Sequence, residues 1–275
     1  MPVVEISDGH NDADFSLSRR ALEMLWEAED RHFWHSARNA WIVSLLRSYG
    51  EHPPRTILDV GCGSGAVARK LTEYGYAVTG VDTERRLVTK ASERCPETSF
   101  VLGSVAELPK GLHGPYDVVA FFDVLEHLEF PEEILKAALR WAKPGALVIA
   151  TVPALKSLHS IVDDLSGHKR RYELGELARM FDDVGLRHVA EHGIFRSSLA
   201  LIKRHRANLD RDASQTLTPE QAEQIMCKNL RVPSAPINAA MKLVCSVERR
   251  FWLRASRGRV GASIVATGRC PDQLR

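Results

Sequence analysis

The chain has 275 residues, 44% of them hydrophobic, which is enough to bury a full core in one large, decorated domain. A formal charge of +2 is too small to argue for nucleic acid or a membrane as partner, although it is unevenly spread. Residues 196–275 hold 15 Lys and Arg against 6 Asp and Glu, so the last part is basic and the rest acidic. Cys62, Cys95, Cys227, Cys245 and Cys270 are widely spaced and form no CxxC pair, which argues against a zinc site or disulfide framework and suits the reducing cytoplasm. The polar, acidic start is no signal peptide, and no apolar run approaches the roughly 18 residues needed to span a bilayer.

In chain order, residues 1–14 are expected to be mobile, and Leu17 to Tyr49 to form one or two helices with Leu22, Leu25, Trp26, Phe33, Trp41 and Leu45 at near-helical spacing. His52-Pro53-Pro54 breaks the chain, and TILDV then reads as a buried strand running into the turn GCGSG. A helix from Ala66, the strand AVTGVD, a helix from Glu84 and the strand SFVLG follow, a βαβαβ alternation. The pattern repeats with YDVVAFF, a helix from Pro131 with proline in its first turn, and ALVIAT. Strands alternating with helices predict an α/β fold with a mostly parallel sheet covered on both faces. Residues 153–172 have weak periodicity and read as a loop or lid. A helix to Val184, the strand LRHVAEHG, a long helical stretch interrupted by DRDASQTLTPE, Pro233 and Pro236, and the strand ASIVATGRC complete the chain.

The strongest chemical signal is Asp59-Val60-Gly61-Cys62-Gly63-Ser64-Gly65 between a buried strand and a helix. Glycines there allow a sharp turn and leave room for a ligand at the carboxyl end of the strand. Gly61, Gly63 and Ala66 also satisfy GxGxxA, so a nicotinamide dinucleotide competes with S-adenosylmethionine (SAM) as ligand. Asp59, immediately before the first glycine, would serve a pyrophosphate poorly, whereas SAM has no phosphate and carries an ammonium group. Asp82, ending the second strand, is placed for ribose hydroxyls and supports a nucleoside without choosing between them.

Taken in order, LDVGCGSG, GVD, LGSVAELP, YDVVAFFDVLEHL and KPGALVIATVP resemble the successive motifs of class I SAM-dependent methyltransferases over about residues 30 to 192. The resemblance implies a Rossmann-like, seven-stranded sheet whose last strand is antiparallel. It implies a helical cap at 15–52, a SAM-binding core at 53–192, a helical insertion at 193–260 covering the acceptor site, and the last core strand and tail at 261–275. By position it assigns Asp59, Gly61, Cys62, Gly63 and Gly65 to the methionine part of SAM, Asp82 and neighbouring Thr83 to the ribose, Ser104 and Val105 to the adenine, and Phe122 and Asp123 to the sulfonium. Ser104 stands where many relatives have aspartate, and would hold the adenine amino group by a weaker bond.

Methyl transfer is an in-line displacement needing orientation above all, and a base only if the acceptor arrives protonated. His127 and His168 are the candidate bases, because the histidine pKa lies near working pH. The alternative for His127 is a purely structural role, and for the 163–173 segment a loop salt-bridge cluster. Trp34, His35, His159, Arg171 and Tyr172 are the candidate acceptor contacts. GHKRRY, His32-Phe33-Trp34 and VPSAPIN (232–238) are similar to segments of a bacterial subgroup acting on varied small molecules, so the resemblance implies a small-molecule acceptor, such as a secondary metabolite, without naming it; the basic C-terminal part would favour an anionic acceptor, and the helix from Ile237 a hydrophobic one. O- or N-methylation leads, with C-methylation, an NAD-dependent oxidoreductase and a non-catalytic SAM-binding protein as alternatives. No metal, no nucleic acid and no membrane partner are expected. The amphipathic helix from Ile237 is expected to close over the acceptor, pair in a homodimer or touch an anionic surface.

Overall fold

In a computed structural model of the chain, the described residues are 3–5, 18–108, 112, 114–212, 217–252, 255 and 257–272. The elements in order are β1 (Val4–Glu5), α1 (Arg19–Arg31), α2 (Phe33–Ser48), β2 (Thr56–Val60), α3 (Ala66–Glu73), β3 (Ala77–Asp82), α4 (Arg85–Arg94), β4 (Ser99–Leu102), β5 (Tyr116–Phe122) and α5 (Pro131–Leu139). They continue with β6 (Ala142–Pro153), α6 (Ile161–Leu165), α7 (Glu176–Asp183), β7 (Arg187–Ile194), α8 (Leu199–Asp212), α9 (Pro219–Leu230), α10 (Ala235–Trp252) and β8 (Ser263–Arg269).

The sheet order is β1-β4-β3-β2-β5-β6-β8-β7; neighbours through β6 run parallel, and β8 runs antiparallel to both β6 and β7. This is the expected Rossmann-like architecture with one addition. Val4–Glu5, in the stretch expected to be mobile, pairs with Val101–Leu102 and extends the sheet to eight strands. Residues 1–2 and 6–17 lie outside the described residues.

The central strands alternate between two cores, as their period of two requires. In β5, Val118, Ala120 and Phe122 join Trp41, Ile42 and Leu45 of α2 on one face, while Val119 and Phe121 meet Leu135 of α5 and Phe181 of α7 on the other. A third, smaller cluster lies off the sheet. Ala21 and Ala28 of α1 pack there with Val162 of α6, Leu209 of α8 and Ile225, Met226 and Leu230 of α9. The expected boundary at 193 falls inside β7, which runs to Ile194; the helices that follow, α8 and α9, are anchored to α1, giving the carboxyl end of the sheet a helical roof. Among the described residues, no helix is long and apolar enough to cross a membrane.

Two side chains fix that roof. His32 breaks α1 from α2, its Nδ1 accepting from the Trp34 N–H at 3.1 Å. Asn238 of α10 clasps the break, accepting from the Phe33 N–H and donating to the Arg31 carbonyl, both at 2.8 Å. The segments HFW and VPSAPIN, 200 residues apart, are thus in direct contact. The 153–172 stretch is not a simple loop: Ser160 and Asp163 form a capping box that starts α6.

Candidate active site

The carboxyl ends of β2, β3, β4 and β5 open into a cavity of about 550 Å³. Gly61, Cys62, Gly63, Asp82, Thr83, Ser104, Val105, Phe122, Asp123, His127 and His168 line it, together with Leu25 and Glu29 of α1 and His35 and Arg38 of α2. The glycine loop explains itself locally. Gly61 has φ +70°, and a Cβ there would lie 2.5 Å from Val124 Cγ2; Gly63, at φ +54°, would meet nothing within 4 Å, so its open side belongs to the cavity. Gly61→Ala is expected to cost about 1–3 kcal/mol from strain and overlap, read as a lower thermal midpoint together with weaker cofactor binding.

Asp82 ties the loop to β3, its carboxylate accepting from the Gly63 N–H at 2.8 Å and the Glu84 N–H at 2.9 Å. Its pKa is raised by burial, against those hydrogen bonds. Ser104 accepts from the Ala106 N–H at 3.2 Å, which occupies its oxygen as a cap while leaving its proton free to donate. Two of the expected contacts do not line the cavity. Gly65 caps α3 and faces α4, where a Cβ would lie 2.9 Å from Ala91 Cβ. Asp59 is 1% exposed, its Oδ2 has no hydrogen-bond partner, and burial pushes its pKa up to about 7 despite Arg38 nearby.

A second cavity, of about 410 Å³, adjoins the first, and His35, Asp123, His168, Asn229 and Leu230 line both. The three segments His32-Phe33-Trp34, His168–Arg171 and Pro233–Ile237 converge on it, with Leu201, Ile202, His205 and Arg206 of α8 and Met241 of α10. Trp34 stacks on Phe195 with ring centroids 3.8 Å apart. His159 and Tyr172 do not line it. His159 faces solvent 3.4 Å from Asp164, and Tyr172 is buried with its O–H donating to the Leu125 carbonyl at 3.1 Å.

At the junction of the cavities, Asp123 has φ +56° and is held by the Thr151 hydroxyl, which donates to it at 2.8 Å, and by an ion pair with Arg38. Burial opposes its ionisation, but Arg38 and Thr151 outweigh that and keep its carboxyl below the usual range. Glu126 is fully buried with both carboxylate oxygens unpartnered, and burial, reinforced by Asp123, raises its pKa well above 4.5. His127 and His168 meet edge to face at 4.7 Å, and with Glu126 they bring one polar atom each within 4.8 Å of one another. Burial, then the neighbouring His168, lower the His127 pKa to about 4, which keeps that ring neutral. His35 is likewise held neutral, by burial and then Arg38, and its buried Nδ1 has no partner.

His168 is oriented from behind. Its Nδ1 lies 2.8 Å from Asp163 Oδ1, leaving Nε2 for the cavity side. Asp163 is fully buried and also receives Arg171 Nε at 2.9 Å and Arg206 Nη1 at 2.5 Å. Sequence reasoning missed Arg38 and Arg206 as members of the site, and read Asp163 only as part of a possible loop cluster. Arg206 joins Asp163 across 43 positions, so no local spacing signals the pair.

A doubly wound sheet with a glycine-rich turn at its switch point, an acidic residue ending the next strand and a roofed second cavity marks the chain as a nucleoside-binding α/β protein. The methyltransferase domain model matches residues 15–208, and the chain belongs to that family, the class I SAM-dependent methyltransferases. The cofactor of that family is SAM and not a dinucleotide. Over 103 residues the chain is 34% identical to the ubiquinone biosynthesis O-methyltransferase of Caulobacter vibrioides, covering 35% of this chain and 40% of the relative. The chain spans less than two thirds of the length of the first curated relatives it matches. Among solved structures, the plantazolicin methyltransferase BamL aligns with a TM-score of 0.57 at 14% identity, covering 94% of this chain and 93% of that one. Phosphoethanolamine N-methyltransferase 2 of Haemonchus contortus, solved in complex with SAM, aligns with a TM-score of 0.53 at 17% identity, covering 85% of this chain and 52% of that one.

Proposed function

We propose that this chain transfers the methyl group of SAM to an oxygen or nitrogen of a small molecule held in the second cavity, with His168 taking the acceptor's proton. The observation that carries the reading is the shared wall: a cavity lined by the glycine loop and Asp82 opens past Asp123 and His168 into a partly apolar chamber. The residues fit the cofactor. Gly63 leaves open space where a Cβ would stand, Asp82 keeps unused lone pairs for ribose hydroxyls, and Asp59, behind the glycine loop, leaves its Oδ2 without a hydrogen-bond partner. When bound, SAM supplies an activated methyl group whose thioether leaves without help, so the protein's task is to align the acceptor.

The chain's own groups divide that task. Phe33, Trp34 and Ile202 give the chamber an apolar wall, with the half-exposed Leu201 at its rim. Asp163 fixes the ring of His168 so that Nε2 receives a proton as the acceptor's lone pair attacks. Arg38 holds Asp123 against the sheet, so the junction keeps its shape and carries no unpaired negative charge.

Isothermal titration with SAM and S-adenosylhomocysteine, with NAD as control, tests the cofactor half. Binding of both sulfur nucleosides and not NAD is expected. Asp82→Ala should weaken it by roughly 10- to 100-fold, the worth of a charge-assisted hydrogen bond at about 1.5–3 kcal/mol. NAD binding, or no loss in the variant, would overturn the assignment. An acceptor screen for methylated product tests the transfer itself.

A further inference from the structure

We propose that the second cavity selects an anionic acceptor, a carboxylate or phosphate on an apolar body, with the anion held at Arg206 and Arg171. The inference rests on the methyltransferase reading for its biological sense, but its physical basis is the cavity's charge balance.

Arg171 and Arg206 both reach the cavity, and both lean on a single carboxylate, Asp163, which does not line it. Arg206 also feels Asp210 of α8, but that carboxylate accepts from the Ile161 N–H at 2.9 Å and does not line the cavity, so the wall itself presents two guanidiniums, with Arg171 only 4% exposed. No acid in the lining offsets them. Asp123 is committed to Arg38, and Glu126 is driven towards its neutral form by burial. His32 and His205 line the same cavity without adding charge: burial first, then His205 and Lys242 for His32 and Arg206 for His205, hold each below the ordinary histidine value, so both rings serve as neutral hydrogen-bonding groups. A half-enclosed wall with excess positive charge gains most from an anion that replaces lost water, and a cationic acceptor would be repelled.

Helix α8 gives the acceptor a direction. Leu201 and Ile202 line the cavity, and one turn on, about 6 Å along the axis, His205 and Arg206 line it as well. Phe33, Trp34 and Met241 extend the apolar part. The chamber is therefore graded from hydrocarbon to cation along one helix face, the pattern that suits an amphiphile lying along α8.

The test is a matched series of octanoate, octyl phosphate, 1-octanol and octylamine, titrated calorimetrically into the full chain with and without saturating S-adenosylhomocysteine. The two anions are expected to bind at least tenfold tighter than the alcohol, and octylamine weakest. The order of the anions tells a carboxylate site from a phosphate site. Arg206→Gln should erase the anion preference while leaving octanol affinity unchanged. If that variant does not fold, the wild-type series decides alone. Equal binding of octanoate and octanol, tighter binding of octylamine, or no binding of any member would overturn the proposal. Failure of S-adenosylhomocysteine to bind would instead strike the methyltransferase reading, and the anion preference is then judged on the series without it.

Discussion

Asp163→Ala is expected to destabilise the protein by about 3–5 kcal/mol, the cost of leaving buried charge uncompensated, seen as a large fall in the urea midpoint. The side chain is fully buried and is met by His168, Arg171, Arg206 and the Ser160 N–H. Removing it strands two guanidiniums, undoes the cap of α6 and frees the α8 contact in one step. Asp163→Asn keeps the shape and loses the charge, so it should fall between wild type and alanine. The pH dependence follows with a definite sign. Burial opposes ionisation of Asp163, but His168, Arg171 and Arg206 hold its carboxyl well below 3.8. Its stabilisation is therefore complete above about pH 3.8, the unfolded value, and is lost as pH falls towards the folded one. Asp163→Asn should flatten that acid limb, and an unchanged midpoint in the alanine variant would mean that water already compensates the arginines.

His168→Gln is expected to lower kcat for a hydroxyl acceptor by about 10²- to 10⁴-fold, the usual worth of a positioned general base. S-adenosylhomocysteine affinity should stay within about twofold, because the methyl acceptor and not the cofactor needs the ring. The discriminating readout is the acceptor's own ionisation. An acceptor already deprotonated at assay pH should be methylated by the variant at close to the wild-type rate, while a protonated one should not. Wild-type kcat on a protonated acceptor would remove His168 from the proton's path. Asp163→Asn, where it folds, should depress kcat in the same acceptor-dependent way, through the orientation of the ring rather than by touching substrate.

The sheet and the glycine loop were legible in the sequence because both are local. Runs such as YDVVAFF and ALVIAT carry the two-faced burial of a central parallel strand in their own composition, and Asp82 announces itself by ending one. The eighth strand was not legible, since Val4–Glu5 is two residues long and depends on the free edge of β4. The second cavity was only partly legible. Its segments HFW, GHKRRY and VPSAPIN stood out separately, but their meeting depends on Asn238 reaching the α1–α2 break, a contact with no periodicity behind it. Arg38 and Arg206 look like the solvated charges any helix carries, and only the packed structure turns them inward. Tyr172 erred the other way: beside Arg171 in sequence, it is directed by chain alternation to the Leu125 carbonyl instead of the cavity.

The position of β8 has a consequence for how the molecule is made. In space it lies between β6 and β7, yet in sequence it follows the three helices of the insertion, so Thr151 waits for Val265 and His192 for the same residue. During synthesis, β6 leaves the ribosome with one side of its ladder unsatisfied, and stays so while more than a hundred further residues are added. Long-range pairing of this kind slows folding and exposes an apolar strand edge. The residues of the helical roof are therefore all made before the strand that completes the sheet, and the apolar edge of β6 stays open until β8 pairs with it.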